Sequence, residues 1–413
     1  MSKNIFVDEN EDIFQAFESA GLEYDNKKVQ HLRFISQKQS NNYIGYYQFK
    51  SGDEYYKFYI LPKTSPKVED ENTNKLNFIN LLKTYYELKT KYKEIKANEI
   101  FDNVIDFSFD DKKDRQNSDD IDDFINYKYQ DALNVVQEFF KNHNRSIQKE
   151  IDFISQSIKN KLHLKRNITE LDKSKIHQTK KSPFIYSKYA IIAIECLDYF
   201  TKKDLPKSIK SKAKKLNSKL KNRYKLKDSF EFKIKQITSK KIKKLFKSNE
   251  QLKLFGALLQ LIGAENYFEN ESSKEIFKLH NQHSLFFRPE KLFEWMVYDS
   301  LKENYQDYDV YKDGSSHGTT QKYLLAGIQR DSNPDFILKK DDKTIVIDAK
   351  WKVLKSLEDI KFEDVAKLRR DSIINKATKS ILAYPQVNFE LNHQYSMGFD
   401  NFIFEIIVNG VVK

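Results

Sequence analysis

Two aspartates and a lysine in the last quarter of the chain have types and spacing suited to metal-assisted hydrolysis. Asp335 precedes the apolar segment FIL, and Asp348 and Lys350 close the segment TIVIDAK after a polar turn. Side chains alternate faces along a strand, so Asp348 and Lys350 share one face, and the turn brings Asp335 beside them. Two carboxylates this close repel each other unless a cation separates them. The group therefore predicts a divalent cation site with oxygen ligands, and Mg²⁺ is the first candidate.

The same three residues match the PD-(D/E)XK pattern. A lysine beside a metal-bound water can orient that water and stabilise the charge that develops on a phosphodiester. Two surface turn residues and a strand-end lysine are the alternative interpretation of the motif. The apolar run at 345–347 argues against it, because ionisable residues directly after a buried strand lie at the edge of a sheet.

Glu294 is a candidate fourth member of this site. It lies in the amphipathic segment RPEKLFEWMVYDSL, where the PD-(D/E)XK fold commonly supplies a further carboxylate near the metal. An ordinary solvent-facing glutamate is the alternative. The motif predicts Asp335, Asp348 and Glu294 as metal ligands and Lys350 as the residue that positions the attacking water.

The elements that must position these residues follow from hydrophobic periodicity. Alternating aromatic residues predict a hairpin or small sheet within 28–63, and helical spacing predicts a long helix over 75–95. Helical patterns continue through most of the middle of the chain, at 130–162 and 184–262. The C-terminal region predicts helices at 290–303 and 362–379, and strands at 308–311, 334–340 and 344–350 with further strands at the end.

These elements predict an α/β protein with a small β-rich N-terminal domain, a helical middle and a C-terminal α/β domain. The PD-(D/E)XK pattern implies that this last domain resembles restriction endonucleases. The 413 residues suffice for two or three cores. The predicted boundaries are an N-terminal domain with its long helix at 1–100, an acidic connector and Lys-rich middle at 101–285, and a nuclease domain at 286–413.

The positive charge of the chain is concentrated in one block. The net charge is +12, and residues 201–250 contain nineteen Lys and Arg against four Asp and Glu. Leu205, Ile209, Ala213, Leu216 and Leu220 recur at helical spacing, which places the lysines on the outer face of a helix. A solvated helix face and a contact to the phosphates of double-stranded DNA are both open. The candidate DNA contacts are Lys212, Lys215, Lys219, Lys241 and Lys244.

Composition excludes several other classes of protein. Hydrophobic residues make up 39% of the chain and aromatic residues 14%, which is too much for a disordered chain. A single cysteine excludes an internal disulfide and any multi-cysteine metal site. The sequence contains no apolar run long enough to cross a bilayer and no visible signal peptide, so no membrane contact and a cytoplasmic location are expected. The GxxxxGK[ST] phosphate loop is also absent, so no nucleotide is expected on this chain.

Two segments near opposite ends of the chain resemble the McrC-like subunits of McrBC-type restriction systems. The segments NNYIGYYQFKSGDEYYKFYILPK and NPDFILKKDDKTIVIDAKWK carry the resemblance in the correct order. Trp351 stands where the family frequently has Tyr, which keeps an aromatic residue. The helix that follows, with KLRRD at 367–371, is closer to restriction-subunit relatives than to the plainest McrC members, so the resemblance leaves the branch and the recognised DNA open.

The resemblance implies a nuclease subunit that works with a partner. McrC-type subunits bind a hexameric McrB-like AAA+ NTPase that hydrolyses GTP or ATP, and their N-terminal domain reaches into the pore of the ring. By that analogy the hairpin at 43–63 contacts the partner, and an ordinary structural hairpin is the alternative. Dimerisation within the assembly is expected, since cutting both strands takes two active sites or two events. The candidate docking residues are Gly45, Ser51, Gly52 and Asp53.

The sequence thus predicts a Mg²⁺-dependent DNA endonuclease subunit. The alternative, from a different class, is an adaptor that docks on an AAA+ ring and binds DNA without cutting. A degenerate active site would be typical of that adaptor, and the intact Asp335, Asp348 and Lys350 motif argues against it.

Overall fold

A computed structural model gives the fold of the chain. It describes 2–9, 11–22, 35–36, 39–40, 44–51, 54–101, 120–143, 149–158, 161–172, 174–182, 184–203, 205–224, 232–237, 239–263, 283–312, 322–325, 328–330, 333–392, 394–396 and 402–408. Most of the predicted acidic connector, at 102–119, lies outside these residues.

The strands are numbered in chain order. They are β1 Ser2–Asp8, β2 Ile35–Ser36, β3 Gln39–Ser40, β4 Ile44–Ser51, β5 Glu54–Leu61, β6 Lys149–Ser155, β7 Lys161–Leu162, β8 Ile176–Ser182, β9 His283–Phe287, β10 Asp309–Lys312, β11 Lys322–Leu325, β12 Ile328–Arg330, β13 Phe336–Lys340, β14 Lys343–Ala349, β15 Val353–Leu354, β16 Lys379–Tyr384, β17 Gln386–Val387, β18 Tyr395–Ser396 and β19 Ile403–Val408.

The α-helices are numbered in the same way. They are α1 Ile13–Ser19, α2 Glu71–Lys91, α3 Ala97–Ile100, α4 Ile121–Asn142, α5 Leu164–Thr169, α6 Phe184–Phe200, α7 Lys207–Tyr224, α8 Lys240–Lys243, α9 Asn249–Ile262, α10 Pro289–Asn304 and α11 Phe362–Asn375. Short 3₁₀ turns lie at Ile234–Gln236 and Leu357–Asp359. None of the described helices is both long enough and apolar enough to cross a membrane.

A six-stranded mixed sheet carries the predicted catalytic motif. Its strand order is β10-β13-β14-β16-β19-β18. The central strand β14 pairs antiparallel with β13 and parallel with β16, so it is bonded on both edges. Helix α11 packs on β14 and β16 and buries Val365 and Leu368 against Val346 and Leu382. The apolar run of β14 is therefore internal, as the sequence predicted.

The predicted N-terminal hairpin is confirmed and is part of a four-stranded sheet with the order β1-β5-β4-β9. Strand β9 comes from much later in the chain and pairs antiparallel with β4. It leads through Arg288 into helix α10. The N-terminal sheet is thus completed by the segment that opens the C-terminal region.

The chain divides into two compact units. The first contains Met1–Phe124 and His283–Lys413, and the second is the insertion Ile125–Gln282. The α/β class is confirmed. The division at 1–100, 101–285 and 286–413 stays a prediction.

Two sequence predictions of helices need correction. Residues 149–162 were expected to be helical, but β6 and β7 lie there and pair with β8 in a three-stranded sheet. The second predicted helix, 362–379, ends at Asn375. Lys376 caps it in the left-handed conformation with φ of 51°, and strand β16 begins at Lys379. A left-handed residue cannot continue a right-handed helix, so the chain turns into the sheet.

Candidate active site

The β13–β14 hairpin brings the two sequence-predicted aspartates together. Asp335 lies directly before β13, and Asp348 lies near the end of β14. Phe336 pairs with Ile347, and the same register sets Asp335 opposite Asp348. The Oδ2 atom of Asp335 accepts a hydrogen bond of 2.7 Å from the backbone N–H of Ala349. This bond holds the Asp335 carboxylate at the end of the active-site strand.

Asp348 lies between two lysines. Its side chain is 1% exposed, and the Nζ atom of Lys350 lies 2.5 Å from its Oδ2 atom. Lys367, from helix α11, forms an ion pair with the Oδ1 atom. A buried carboxylate is costly unless it is paired, and here two ammonium groups supply the pairing. The predicted Asp348 and Lys350 pair is therefore joined by a second lysine.

Helix α11 also brings a further carboxylate to this cluster. The Oδ1 atom of Asp364 lies 3.8 Å from the Nζ atom of Lys350, and its Oδ2 atom forms an ion pair with Lys352. Asp371, one helical turn beyond Lys367, lies 4.0 Å from the Lys367 Nζ atom. The cluster is thus an alternating set of positive and negative side chains, in which moving one group changes the field at its neighbours.

Glu294 lies on helix α10 and is 8% exposed. Its Oε1 atom lies 2.7 Å from the Nζ atom of Lys291, and its Oε2 atom lies 3.2 Å from that of Lys312. Its charge contributes to the raised pKa of Asp335, which places Glu294 within electrostatic reach of the two aspartates. The solvent-facing alternative for Glu294 is therefore wrong.

Burial is the main cause that raises the pKa of Asp335 to about 7, and the negative charge of Asp348 adds to the shift. The positive charge of Lys367 acts in the opposite direction but does not cancel these effects. An aspartate with this pKa is only partly ionised at neutral pH. A cation bound between the two carboxylates would favour the ionised form of both.

The pKa of Asp348 moves the other way. Burial alone would raise it, but the nearby charges of Lys367 and Lys350 outweigh burial and lower the pKa of Asp348. Burial alone would lower the pKa of Lys350. The negative charge of the Asp348 carboxylate outweighs burial, so the pKa of Lys350 is raised. Lys350 thus stays a cation at neutral pH, as a residue that stabilises developing negative charge must.

The donor set fits a hard divalent cation at the two aspartates. Carboxylate oxygens are the ligands that Mg²⁺ prefers, usually from one or two side chains. The buried Oδ2 atom of Asp348 has no aligned hydrogen-bond donor among the described residues, although the Lys350 Nζ atom is near. Within the same part of the chain, no three His, Cys, Asp or Glu side chains are arranged as a complete metal-binding group. The Glu294 carboxylate forms ion pairs with Lys291 and Lys312.

Sequence reasoning missed the contributions of Lys367 and Asp364. Both lie on the face of α11 that meets β14, and the spacing 364, 367 and 371 is the spacing of one helix face. That periodicity was a usable signal. It did not reveal that the polar residues at the edge of this face contact the sheet, as the apolar Leu368 at its centre does.

The docking role of the N-terminal hairpin stays a prediction. Gly45 lies in β4 and is buried, and a Cβ atom built there would overlap the ring of Phe286. Packing against β9 thus explains why this position is a glycine. The backbone of Ser51 pairs with Glu54 at the end of the hairpin. Gly52 and Asp53 lie outside the described residues.

The predicted lysine helix is α7. Ile209, Ala213, Leu216 and Leu220 are buried along one face, as the periodicity indicated. Lys215 and Lys219 are exposed, whereas the Nζ atom of Lys212 donates a hydrogen bond of 2.6 Å to Oδ1 of Asn134. Lys241 and Lys244 are exposed in and directly after α8. Lys215 and Lys219 line one open pocket on α7 together with Lys207, Lys210 and Lys214.

The fold and the cluster define an α/β protein with a group of carboxylates and lysines at the end of a central strand. A family model described as "McrBC 5-methylcytosine restriction system component" matches residues 38–371. The chain belongs to this family, and the resemblance of its two terminal segments is confirmed.

Two solved structures from Thermococcus gammatolerans are similar to this chain. One is a half-complex of McrB AAA+ hexamers with bound McrC, from a tetradecameric assembly; it has 13% identity and a TM-score of 0.43 over 100% of this chain and 97% of that chain. The other is a McrBC complex with 13% identity and a TM-score of 0.33, over 74% of this chain and 89% of that chain. No curated protein sequence matches.

Proposed function

We propose that this chain is the DNA-cleaving subunit of its restriction system, a Mg²⁺-dependent endodeoxyribonuclease. The observation that carries the proposal is the convergence of Asp335, Asp348 and Lys350 at the end of one buried strand. Family membership alone identifies a component of the system and leaves open which component cuts. The paired carboxylates and the charged lysine are the groups that phosphodiester hydrolysis requires.

Each residue has a distinct role in this proposal. Asp335 and Asp348 would hold the metal ion, and Glu294, which is paired with Lys291 and Lys312, would be the further carboxylate near it. Bound Mg²⁺ supplies Lewis-acid stabilisation of the phosphate and lowers the pKa of a bound water. Lys350 orients the attacking water and stabilises negative charge on the phosphate. Lys367 keeps Asp348 ionised before the metal arrives.

We further propose that cleavage depends on an AAA+ NTPase partner of McrB type. Membership in the McrBC family supports such a partner, and the absence of a phosphate loop from the sequence assigns GTP or ATP hydrolysis to it. Dimerisation within the assembly would bring two active sites to the two strands of double-stranded DNA.

The experiment that tests the proposal is metal removal. The chain, its AAA+ partner and GTP or ATP are incubated with long double-stranded DNA, methylated or unmethylated, in Mg²⁺. Cleavage is expected in Mg²⁺, chelation of the metal with EDTA should stop it, and an excess of added Mg²⁺ should restore it. Since the partner also needs Mg²⁺, its hydrolysis rate is followed in parallel. DNA left intact while the partner hydrolyses nucleotide would contradict the proposal.

The exposed lysines of the insertion are proposed as a phosphate-binding surface. Replacing Lys215 and Lys219 with Gln is expected to reduce the slope of log affinity against log salt by roughly 2, because each lysine that neutralises a phosphate releases about one counterion. The measurement is DNA binding at several salt concentrations. A matched control replaces Lys93 and Lys96, two exposed lysines of the N-terminal region. Equal slopes in both variants would mean that Lys215 and Lys219 are exposed to solvent and do not contact DNA phosphates.

A further inference from the structure

Glu9 joins the N-terminal sheet to the end of the active-site strand. It directly follows β1, and its backbone N–H donates a hydrogen bond of 3.1 Å to the carbonyl oxygen of Leu61. Its side-chain Oε2 atom accepts a hydrogen bond of 3.0 Å from the indole Nε1 atom of Trp351, across 342 residues of sequence. Trp351 is the residue next to Lys350. The N-terminal sheet therefore reaches the neighbour of the proposed catalytic lysine directly.

The Glu9 carboxylate is fixed from a second direction by Lys63. The Nζ atom of Lys63 lies 3.2 Å from the Oε1 atom of Glu9, and its backbone N–H donates a hydrogen bond of 3.4 Å to Oε2. The same Nζ atom lies 5.8 Å from the centroid of a Trp351 ring. Glu9 is 1% exposed. Replacing a buried ion pair by apolar side chains of similar volume often leaves the free energy of unfolding unchanged. The contribution of the Glu9 carboxylate is therefore to fix the orientation of the indole.

The Trp351 ring also contacts helix α10. The ring of Phe293 lies 5.8 Å from it, centroid to centroid, and Phe293 immediately precedes Glu294. Trp351 thus contacts both the residue that follows β1 and the helix that carries a proposed metal ligand. It is 8% exposed, which leaves little room for the indole to turn.

Strand pairing holds the backbone at Lys350 from the β16 side. The antiparallel register of β14 with β13 reaches only Ile347. The parallel register with β16 continues through Ala349, and the backbone N–H of Lys350 donates to the carbonyl oxygen of Ala383 at 2.8 Å. The contact of Glu9 with Trp351 therefore adds a second hold on this segment. Successive side chains of an extended segment point to opposite sides. A rotation of the chain that moved the indole of Trp351 would therefore swing Lys350 away from Asp348.

We infer that Glu9 and Trp351 are positioning residues for Lys350, so that the N-terminal sheet completes the active site of the C-terminal sheet. The inference rests on the proposed nuclease function. A displacement of about 1 Å in a catalytic group can lower a rate by roughly 10²-fold. The Nζ atom of Lys350 lies 2.5 Å from Oδ2 of Asp348 and 3.8 Å from Oδ1 of Asp364. A small movement of Lys350 would therefore change which carboxylate it pairs with.

The test compares Trp351→Phe, Glu9→Leu and the double variant in the complete assembly with Mg²⁺ and nucleotide. Each single variant is expected to lower kcat for DNA cleavage at least tenfold with an unchanged KM, and the double variant should be no slower, because both changes break one hydrogen bond. Glu9→Gln keeps an oxygen that accepts the indole N–H and should recover most of the lost kcat. Glu18→Leu is the matched control, since Glu18 is an exposed glutamate of the nearby helix α1.

The outcomes separate this inference from the proposed function. If Lys350→Met stops cleavage but Trp351→Phe cuts at the wild-type rate, the positioning role is overturned and the nuclease remains. A Glu9→Gln variant as slow as Glu9→Leu, with thermal stability lowered in step, would likewise overturn it in favour of plain packing. If Lys350→Met cuts like the wild type, the proposed function itself fails, and positioning of Lys350 fails with it. Trp351→Phe keeps a ring against Phe293 and decides the question if Glu9→Leu does not fold.

Discussion

Replacing Lys350 with Met is expected to slow DNA cleavage by about 10²- to 10³-fold, the loss typical when one group that stabilises transition-state charge is removed. Methionine keeps the length of the side chain and removes its charge. Asp348 retains Lys367 as a partner, so the buried carboxylate is not left alone. Divalent metal binding should be unchanged or tighter, because one competing cation is gone. Single-turnover cleavage and a metal titration measure the two effects separately.

Lys343→Met is the matched control for this variant. Lys343 opens the same strand, β14, and is exposed at the end opposite to the site. It should cut at the wild-type rate. Cleavage by Lys350→Met at the rate of this control would remove Lys350 from the reaction, whatever the metal titration gives.

Replacing Asp335 with Asn is expected to have opposite effects on activity and stability. Cleavage should be lost because the amide is a poor metal ligand. The metal-free protein, however, should become more stable at high pH. The folded-state pKa of Asp335 is raised from 3.8 to about 7, so ionising this group costs folding free energy as pH rises through that window. An amide that cannot ionise avoids the cost, about 2 kcal/mol given the partial exposure of Asp335.

The pH dependence gives this second prediction its sign. In EDTA, the gain in melting temperature of Asp335→Asn over the wild type should be small near pH 4, grow up to about pH 7 and then level off. Asp307→Asn is the control, because Asp307 lies on the surface beside Lys340 with 79% of its side chain exposed. A gain that is the same at pH 4 and pH 8 would mean that ionisation of the buried Asp335 is not its source.

The central part of the site was predictable from the sequence because it depends on local rules. The strand period places Asp348 and Lys350 on one face, and a short turn is enough to set Asp335 opposite Asp348. Register within a hairpin follows from chain geometry, and the pairing of Phe336 with Ile347 confirms it. These contacts span few residues, so little else in the fold could alter them.

The rest of the site was not predictable because it depends on long-range pairing. Lys367 reaches Asp348 only because α11 crosses the sheet at one particular angle, and Glu9 reaches Trp351 because β9 returns to the N-terminal sheet. No local pattern encodes either contact. Gly45 was predicted only as a docking residue, and the sequence did not reveal that the ring of Phe286, from that returning strand, requires a glycine there.

The misassigned segment at 149–162 has a similar cause. Residues KEIDFIS contain apolar side chains at both strand and helix spacing, and the described element before them is helix α4. Only pairing with β8 selects the extended form. Short apolar segments of this kind are ambiguous by periodicity alone.

The most direct test of the account is a comparison of the wild type with Asp348→Ala, each with and without the AAA+ partner and its nucleotide. DNA cleavage and the hydrolysis rate of the partner are measured in the same reactions. We expect the wild type to cut only with partner, nucleotide and Mg²⁺, and the variant never to cut while changing the hydrolysis rate of the partner as the wild type does. Cleavage by Asp348→Ala would contradict the active site, and a wild type that alters hydrolysis without cutting would identify a ring-docking adaptor instead.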